Sequence, residues 1–322
     1  MTATEPITAD PNDPAWHEAR RTFIGASDAP AVLGISPWAT PLDVWADKLN
    51  LGQRFEGNLS TDMGHALEDL IARTWFDEQA PSEFGARWLI DPKVTMRHRD
   101  YPHIAASVDR VWAVRMEEDK DDRWWPHPAD ELVECKYVGP TVAWQWRDGV
   151  PVYVQAQCQV QMAVTGAKRV HVAALIVDYG PQFFTAVIER DDAVIDEIIG
   201  RLNQFWAEHI EAGARPDTDG MNPDQVRRRL EQMYQPPDDA NPVRLPHELA
   251  TLVADIKRTK ALKRDLEKQI AAAENELRLF MIDQQATDAF IDDNQKPAVT
   301  WRTVERAGYQ VEPTSYQKLT VR

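Results

Sequence analysis

The segment with the plainest chemical content is Leu132-Val133-Glu134-Cys135-Lys136-Tyr137-Val138. Its apolar background predicts a buried strand, and in a strand residues i and i+2 face the same way. Glu134 and Lys136 therefore project together. A carboxylate can hold a hard divalent cation, and a neighbouring lysine can orient or help deprotonate a water, or stabilise charge building on a phosphate. The pattern of an acid, any residue, then lysine also occurs at Asp91/Lys93, Glu118/Lys120 and Asp255/Lys257. Those three bracket a proline, lie in an acid-rich stretch and lie on a long helix; Glu134/Lys136 sits inside a strand-like run. The bland alternative is an edge strand with solvated charges. Asp109 follows Ala105-Ala106-Ser107-Val108 at the polar end of another strand. Pairing the two strands would put Asp109 beside Glu134. Two carboxylates and a lysine would suit Mg²⁺ or Mn²⁺ held through oxygens and waters. Taken alone, Asp109 reads as a turn or salt-bridge aspartate.

The elements that must position these groups follow from periodicity and punctuation. Residues 1–13 are small, polar and acidic, and read as a frayed tail. Asp13-Pro14 opens a helix over 15–21, Ser27 can cap 28–33, and Thr40-Pro41 opens 42–49. Ser60 or Thr61 can cap a longer helix carrying Met63, Leu67, Leu70, Ile71 and Trp75 at helical spacing. The period then changes, and 87–90, 94–97, 104–114 and 132–138 read as strands. Residues 116–131 hold seven acids and two prolines and read as a solvated hairpin insertion. Val150–Thr165 is apolar at helical spacing and stops at Gly166; 169–177 and 182–188 form a strand pair, and 191–211 a helix. This order is an α/β core with a helical N-terminal layer. The domain reading is a core over 14–213, a Pro-rich linker over 214–245, and a C-terminal region over 246–322. That last region starts with a helix of about 38 residues whose leucines and isoleucines recur at spacings of three and four, like a coiled-coil seam. A hairpin over 289–304 follows.

Composition narrows the function classes. The chain has 322 residues, 52 acids against 36 bases, and a net charge of -16. A passive nucleic-acid coat needs a broadly basic surface, so that class is disfavoured. A nuclease with a locally basic cleft is not. Two cysteines, Cys135 and Cys158, are too few for a disulfide scaffold or a four-cysteine metal site. No apolar run reaches the ~18 residues of a membrane span, and the expected location is cytoplasmic.

Several motifs together carry a family resemblance. Ser107-Val108-Asp109, a spacer, Glu134-Cys135-Lys136 and a following helix resemble the PD-(D/E)xK nuclease core. Arg20-Arg21-Thr22-Phe23-Ile24-Gly25-Ala26-Ser27-Asp28-Ala29 resembles the opening motif of the YqaJ-like viral recombinases, relatives of lambda exonuclease. Leu33-Gly34-Ile35-Ser36-Pro37-Trp38 with Thr40-Pro41-Leu42-Asp43-Val44-Trp45 is similar to its next signature. Met63-Gly64-His65-Ala66-Leu67-Glu68 resembles a Gly-x-x-x-Glu helix, and Gln155-Ala156-Gln157-Cys158-Gln159 a glutamine-rich helix. The motifs occur in family order over about residues 16–210. Val108 stands where proline is usual, Arg110 where glycine is common, and Thr22 where glycine is frequent.

The resemblance implies an α/β restriction-endonuclease-like core, with a mixed central sheet flanked by helices. It implies a metal-dependent exonuclease acting on linear duplex DNA from a 5′ end to leave a 3′ single strand. In that scheme Asp109, Glu134, the Cys135 backbone carbonyl and Glu68 ligate two Mg²⁺ or Mn²⁺ ions, Glu68 lying toward the second ion or its waters. Lys136 positions or activates the water and Gln157 hydrogen-bonds nearby. Arg20 anchors a terminal phosphate, with Ser27 and Ser107 as weaker phosphate contacts. A homotrimer, a single-strand annealing partner and a phage or prophage origin in a bacterial host are implied too. The alternatives are another PD-(D/E)xK nuclease, such as an endonuclease, and a non-catalytic recombination scaffold acting through the coiled coil.

Overall fold

A computed structural model describes residues 14–52, 57–78, 88–113, 131–234, 242–291 and 296–304. The expected tail and most of the acid-rich insertion lie outside the described residues. Two compact units divide the chain, Met1–Gln235 and Pro236–Arg322.

The first unit opens with short helices. α1 spans Pro14–Arg20, β1 Ile24–Gly25, α2 Ala29–Val32 and α3 Pro41–Lys48. Thr40 caps α3 through a capping box, its side chain accepting from Asp43 N while Asp43 accepts from Thr40 N. Ser27 is not a cap. Asp28 occupies the N-cap position of α2, and its carboxylate is turned to Arg20 and Lys48 instead. α4 covers Leu59–Glu78, and its first turn is held by Asn58 Oδ1, which accepts from Ser60 N and Thr61 N. Ser60 and Thr61 are therefore inside the helix.

The strands form two sheets. β2 (Trp88–Ile90), β5 (Arg110–Ala113), β6 (Glu131–Val138), β7 (Arg169–Val177) and β8 (Pro181–Glu189) lie in the order β2-β5-β6-β7-β8. β6 and β7 run parallel and the other neighbours antiparallel. β4 (Ile104–Ser107) pairs with β1 on one side and with β3 (Thr95–Arg97) on the other, forming a second sheet ordered β1-β4-β3. The stretch 104–114, expected as one strand, is thus two. It breaks at Val108-Asp109 and passes from one sheet to the other.

Central strand β6 is covered on both faces. Val133 and Cys135 pack with Ile71, Ala72 and Trp75 of α4, while Leu132 and Val138 join the larger core on the opposite face. That larger core includes α5 (Val152–Thr165) and α6 (Asp192–Phe205), the latter continuing as π-helix over Trp206–Glu211. α5 ends where Gly166 takes a left-handed φ of 79°, the conformation that stops helices most cheaply with glycine.

The segment expected to be a linker contains α7, Pro223–Met233, which packs on α3. Gly52 shows how close the approach is: its φ is +84°, and a Cβ there would stand 2.4 Å from the Gln232 carbonyl oxygen. Asn222 caps α7, and Pro223 sits in the first turn, where a missing N–H costs nothing. The first unit therefore runs to Gln235 rather than 213.

The second unit holds α8, His247–Asp283, a helix about 55 Å long at 1.5 Å per residue. Leu249, Leu252, Leu262, Leu266, Ile270, Leu277 and Phe280 of the expected seam are exposed. Beyond it β9 (Asp288–Ala289) and β10 (Val299–Thr300) pair antiparallel as a minimal hairpin. Its expected turn at Asp292–Asn294 lies outside the described residues. No helix among the described residues is long and apolar enough to cross a membrane.

Candidate active site

Three elements meet at the C-terminal half of β6. Arg110 of β5 stands opposite Val133, so Asp109, in the break before β5, lies next to Glu134. Its Oδ2 accepts from Cys135 N at 2.7 Å. On the α5 face of β6, Lys136 Nζ donates to Glu134 Oε1. Gln157 of α5 ties the two together: its Nε2 donates to Glu134 Oε1 at 2.7 Å, and its Oε1 accepts from Lys136 Nζ at 3.1 Å. Gln161, one turn further on, donates to Glu134 Oε2 at 2.6 Å and to the Ser107 carbonyl at 3.3 Å. Glu134 is only 2% exposed, so both its oxygens need such partners.

The charges are strongly coupled. Burial pushes the Asp109 carboxyl well above the ordinary range, and the nearby charges of Glu134 and Glu68 push the same way; Lys136 and the Cys135 N–H oppose them. Burial would lower the Lys136 ammonium, but Glu134 and Asp109 more than reverse this and hold it above the ordinary lysine range. Lys136 is a charged donor in this arrangement.

Glu68 of α4 approaches from the other side of the sheet. Arg110 holds it, NH1 to Oε1 at 2.6 Å, and also donates to the Asp109 carbonyl at 2.5 Å. Arg110, which the sequence marked only as a departure from a common glycine, thus links two of the three acids. Among the described residues no three His, Cys, Asp or Glu side chains converge at ligating distance. The fit to a divalent ion rests on donor type and charge. Asp109, Glu134 and the Cys135 carbonyl are hard oxygens, and a crowd of carboxylates, one buried and two half-buried, that raises one of its own members is what a divalent charge would relieve.

Arg20 and Ser27 stand together, NH2 to Oγ at 3.4 Å, and Ser27 shares a cavity wall with Lys136 and Gln157. Arg20 is braced. Its NH2 donates to Asp28 Oδ1 at 2.6 Å, and Asp28 Oδ2 accepts from Lys48 Nζ at 2.8 Å. Ser107 is placed differently: its hydroxyl is engaged with Thr95 Oγ1 at 2.8 Å. Sequence reasoning missed Gln161, Asp28 and Lys48. The spacing of Gln157 and Gln161, i and i+4 on one helix, was a usable signal for the first.

Comparison with known proteins completes the picture. Residues 15–168 match the YqaJ-like viral recombinase domain. The matched range includes every residue of the cluster above, from Arg20 to Gln161. The uncharacterized protein YqaJ of Bacillus subtilis (strain 168) is 26% identical over 311 residues, 94% of this chain and 89% of that protein. Among solved structures, the alkaline exonuclease LHK-Exo of Laribacter hongkongensis is 23% identical, with a TM-score of 0.47, over 62% of this chain and 94% of that one. A phage related exonuclease of Haemophilus somnus 129PT is 15% identical, with a TM-score of 0.36, over 65% and 92%. The YqaJ-like segment ends just before β7, so β7, β8 and α6 complete its sheet and core from outside the matched range.

Proposed function

We propose that this chain is a divalent-metal-dependent DNA exonuclease of phage-type recombination, built on a PD-(D/E)xK core. It hydrolyses phosphodiester bonds of linear duplex DNA from the 5′ end and leaves a 3′ single strand. The observation that carries the reading is the convergence of Asp109, Glu134 and Lys136, with Gln157 bridging the last two. The YqaJ-like domain around them supports it.

In this reading Asp109, Glu134 and the Cys135 carbonyl hold Mg²⁺ or Mn²⁺, with Glu68 toward a second ion. Bound there, the metal supplies a water of lowered pKa and a counter-charge for the phosphate. Lys136 donates to the attacking water and to the charge growing on the phosphate. Gln157 and Gln161 fix the Glu134 carboxylate, and Arg20 with Ser27 takes the terminal phosphate, for which guanidinium geometry is suited. The partners are DNA ends, further copies of the chain in a ring-like homotrimer, and a single-strand annealing protein. The setting is the cytoplasm of a bacterial host carrying the phage or prophage.

Time-resolved digestion of linear duplexes labelled separately at the 5′ and 3′ ends, with Mg²⁺ or with EDTA, tests this. Mononucleotide release from the 5′ label first, abolished by EDTA and by Lys136→Ala, is the expected result. Rapid cutting of closed circles, or full activity of Lys136→Ala, would overturn it.

A further inference from the structure

Beside Lys136 lies a cavity of about 130 Å³ whose lining includes Lys136, Gln157 and Ser27 together with Trp38, Trp146 and Tyr153. We propose that it is a stacking subsite for the nucleobase next to the scissile phosphodiester, with Trp38 as its shelf. The inference rests on the nuclease reading of Asp109, Glu134 and Lys136, and adds to it what is bound beside the phosphate.

Three observations carry it. First, the cavity lining is amphipathic in the sense a nucleotide needs: it combines Lys136 and Gln157 of the acid-lysine cluster and Ser27, with Arg20 at 3.4 Å from the Ser27 hydroxyl, with the aromatic rings of Trp38, Trp146 and Tyr153. Second, Trp38 is 56% exposed although it is large and apolar. Its ring meets Tyr153 edge-to-face at a centroid distance of 4.9 Å and an interplanar angle of 83°. That contact uses an edge and positions the indole without spending both of its π-faces. Third, the volume admits one ring system and excludes a whole nucleotide, being well below the ~300–1,000 Å³ of ordinary small-molecule sites. The sugar and phosphate would then lie outside, toward Lys136 and Ser27.

Stacking on an aromatic side chain is sequence-tolerant, because every base has a π-face. The subsite therefore recognises the presence of a base and not its identity, as an enzyme that degrades any sequence requires.

The test measures affinity without turnover. Duplex oligonucleotides with a normal or an abasic terminal nucleotide, labelled at the far blocked end, are titrated with the full chain in EDTA. The wild-type protein should bind the normal end about 30-fold more tightly, the middle of the range for one stacked base. Trp38→Ala should lose about that factor on the normal end and show equal Kd values for the two. Trp38→Phe, which keeps a π-face, should restore most of the preference. Because Trp38 is half exposed, circular dichroism should show both variants folded. Equal wild-type affinities for the two ends, absence of binding, or a Trp38→Ala protein that still prefers the normal end would each overturn the subsite. Failure of the nuclease reading would show separately, as end discrimination in EDTA without any digestion in Mg²⁺.

Discussion

The Arg20–Asp28–Lys48 network offers a sharp test of how the first unit is held together. Lys48 has a side chain with 0% exposure, and its ammonium donates to Asp28 Oδ2 at 2.8 Å and to the Arg20 carbonyl at 3.1 Å. Asp28 also accepts from Arg20 NH2 at 2.6 Å and from Gly25 N at 3.1 Å. Asp28→Asn keeps the shape but removes the one negative charge, leaving a buried ammonium uncompensated. Breaking a buried pair in this way costs about 3–5 kcal/mol. Arg20 is 30% exposed and can turn to water, so the lower end, about 3 kcal/mol, is expected. For a unit of this size that corresponds to a fall in Tm of about 6–12 °C. Tryptophan fluorescence is the natural probe, since eleven of the twelve tryptophans precede residue 236. Lys48→Met should cost less, because Asp28 keeps Arg20 and the Gly25 N–H. The double variant should recover most of the Asp28→Asn loss, as the buried ammonium stranded by that substitution is then gone. Burial alone would raise the Asp28 carboxyl; Arg20 and Lys48 more than reverse this and hold it well below the ordinary range. Its contribution is therefore present above the unfolded value of about 3.9 and is lost as pH falls through the lower folded one. An Asp28→Asn shift under 2 °C at neutral pH, or losses that simply add in the double variant, would refute the reasoning.

Three further outcomes are expected. Gln161→Leu removes a donor from a buried carboxylate, so kcat/KM for DNA digestion should fall about 10- to 100-fold, the equivalent of one charged hydrogen bond. Its stability by urea unfolding should also fall, by about 1–3 kcal/mol, because Glu134 Oε2 is left without its buried donor. Arg110→Met frees Glu68 and should cost about 1–3 kcal/mol in the same unfolding measurement, with activity falling further than folding does. His98 and His103 are pushed below 6.5, chiefly by burial. The folded state then binds fewer protons than the unfolded one, so stability present above about pH 6.5 should be lost as pH falls through the folded values; urea midpoints at pH 7.5 and 5.5 check the sign.

Much of the scaffold was legible because its signals are local. Thr40-Pro41 with Asp43 writes a capping box within four residues, and Gly166 stops α5 by its own backbone freedom. The pairing of Glu134 with Lys136 follows from the two-residue period of a strand. Other features were misjudged for identifiable reasons. Ser60 and Thr61 cap nothing, because Asn58 two residues earlier had the better-placed oxygen. The prolines of 214–245 suggested a linker, but Pro223 marks a helix start whose face α3 then covers. The break at Val108-Asp109 has no glycine or proline to announce it. It exists because β4 and β5 find partners in different sheets.

The sequence by itself determined the residue types, the periods and the motif order. These suffice for an α/β chain similar to the YqaJ-like domain with an acid-acid-lysine set, since each depends on neighbours a few positions away. Tertiary structure alone decided which groups complete that set. Gln161 reaches Glu134 across 27 positions, Arg110 reaches Glu68 across 42, and Lys48 reaches Asp28 across 20. A buried charge must be matched by whatever side chain the packed elements bring within about 3 Å. That choice is made by the docking of α3, α4 and α5 on the sheets; the i and i+4 spacing of Gln157 and Gln161 puts both amides on one helix face but does not name the carboxylate they meet.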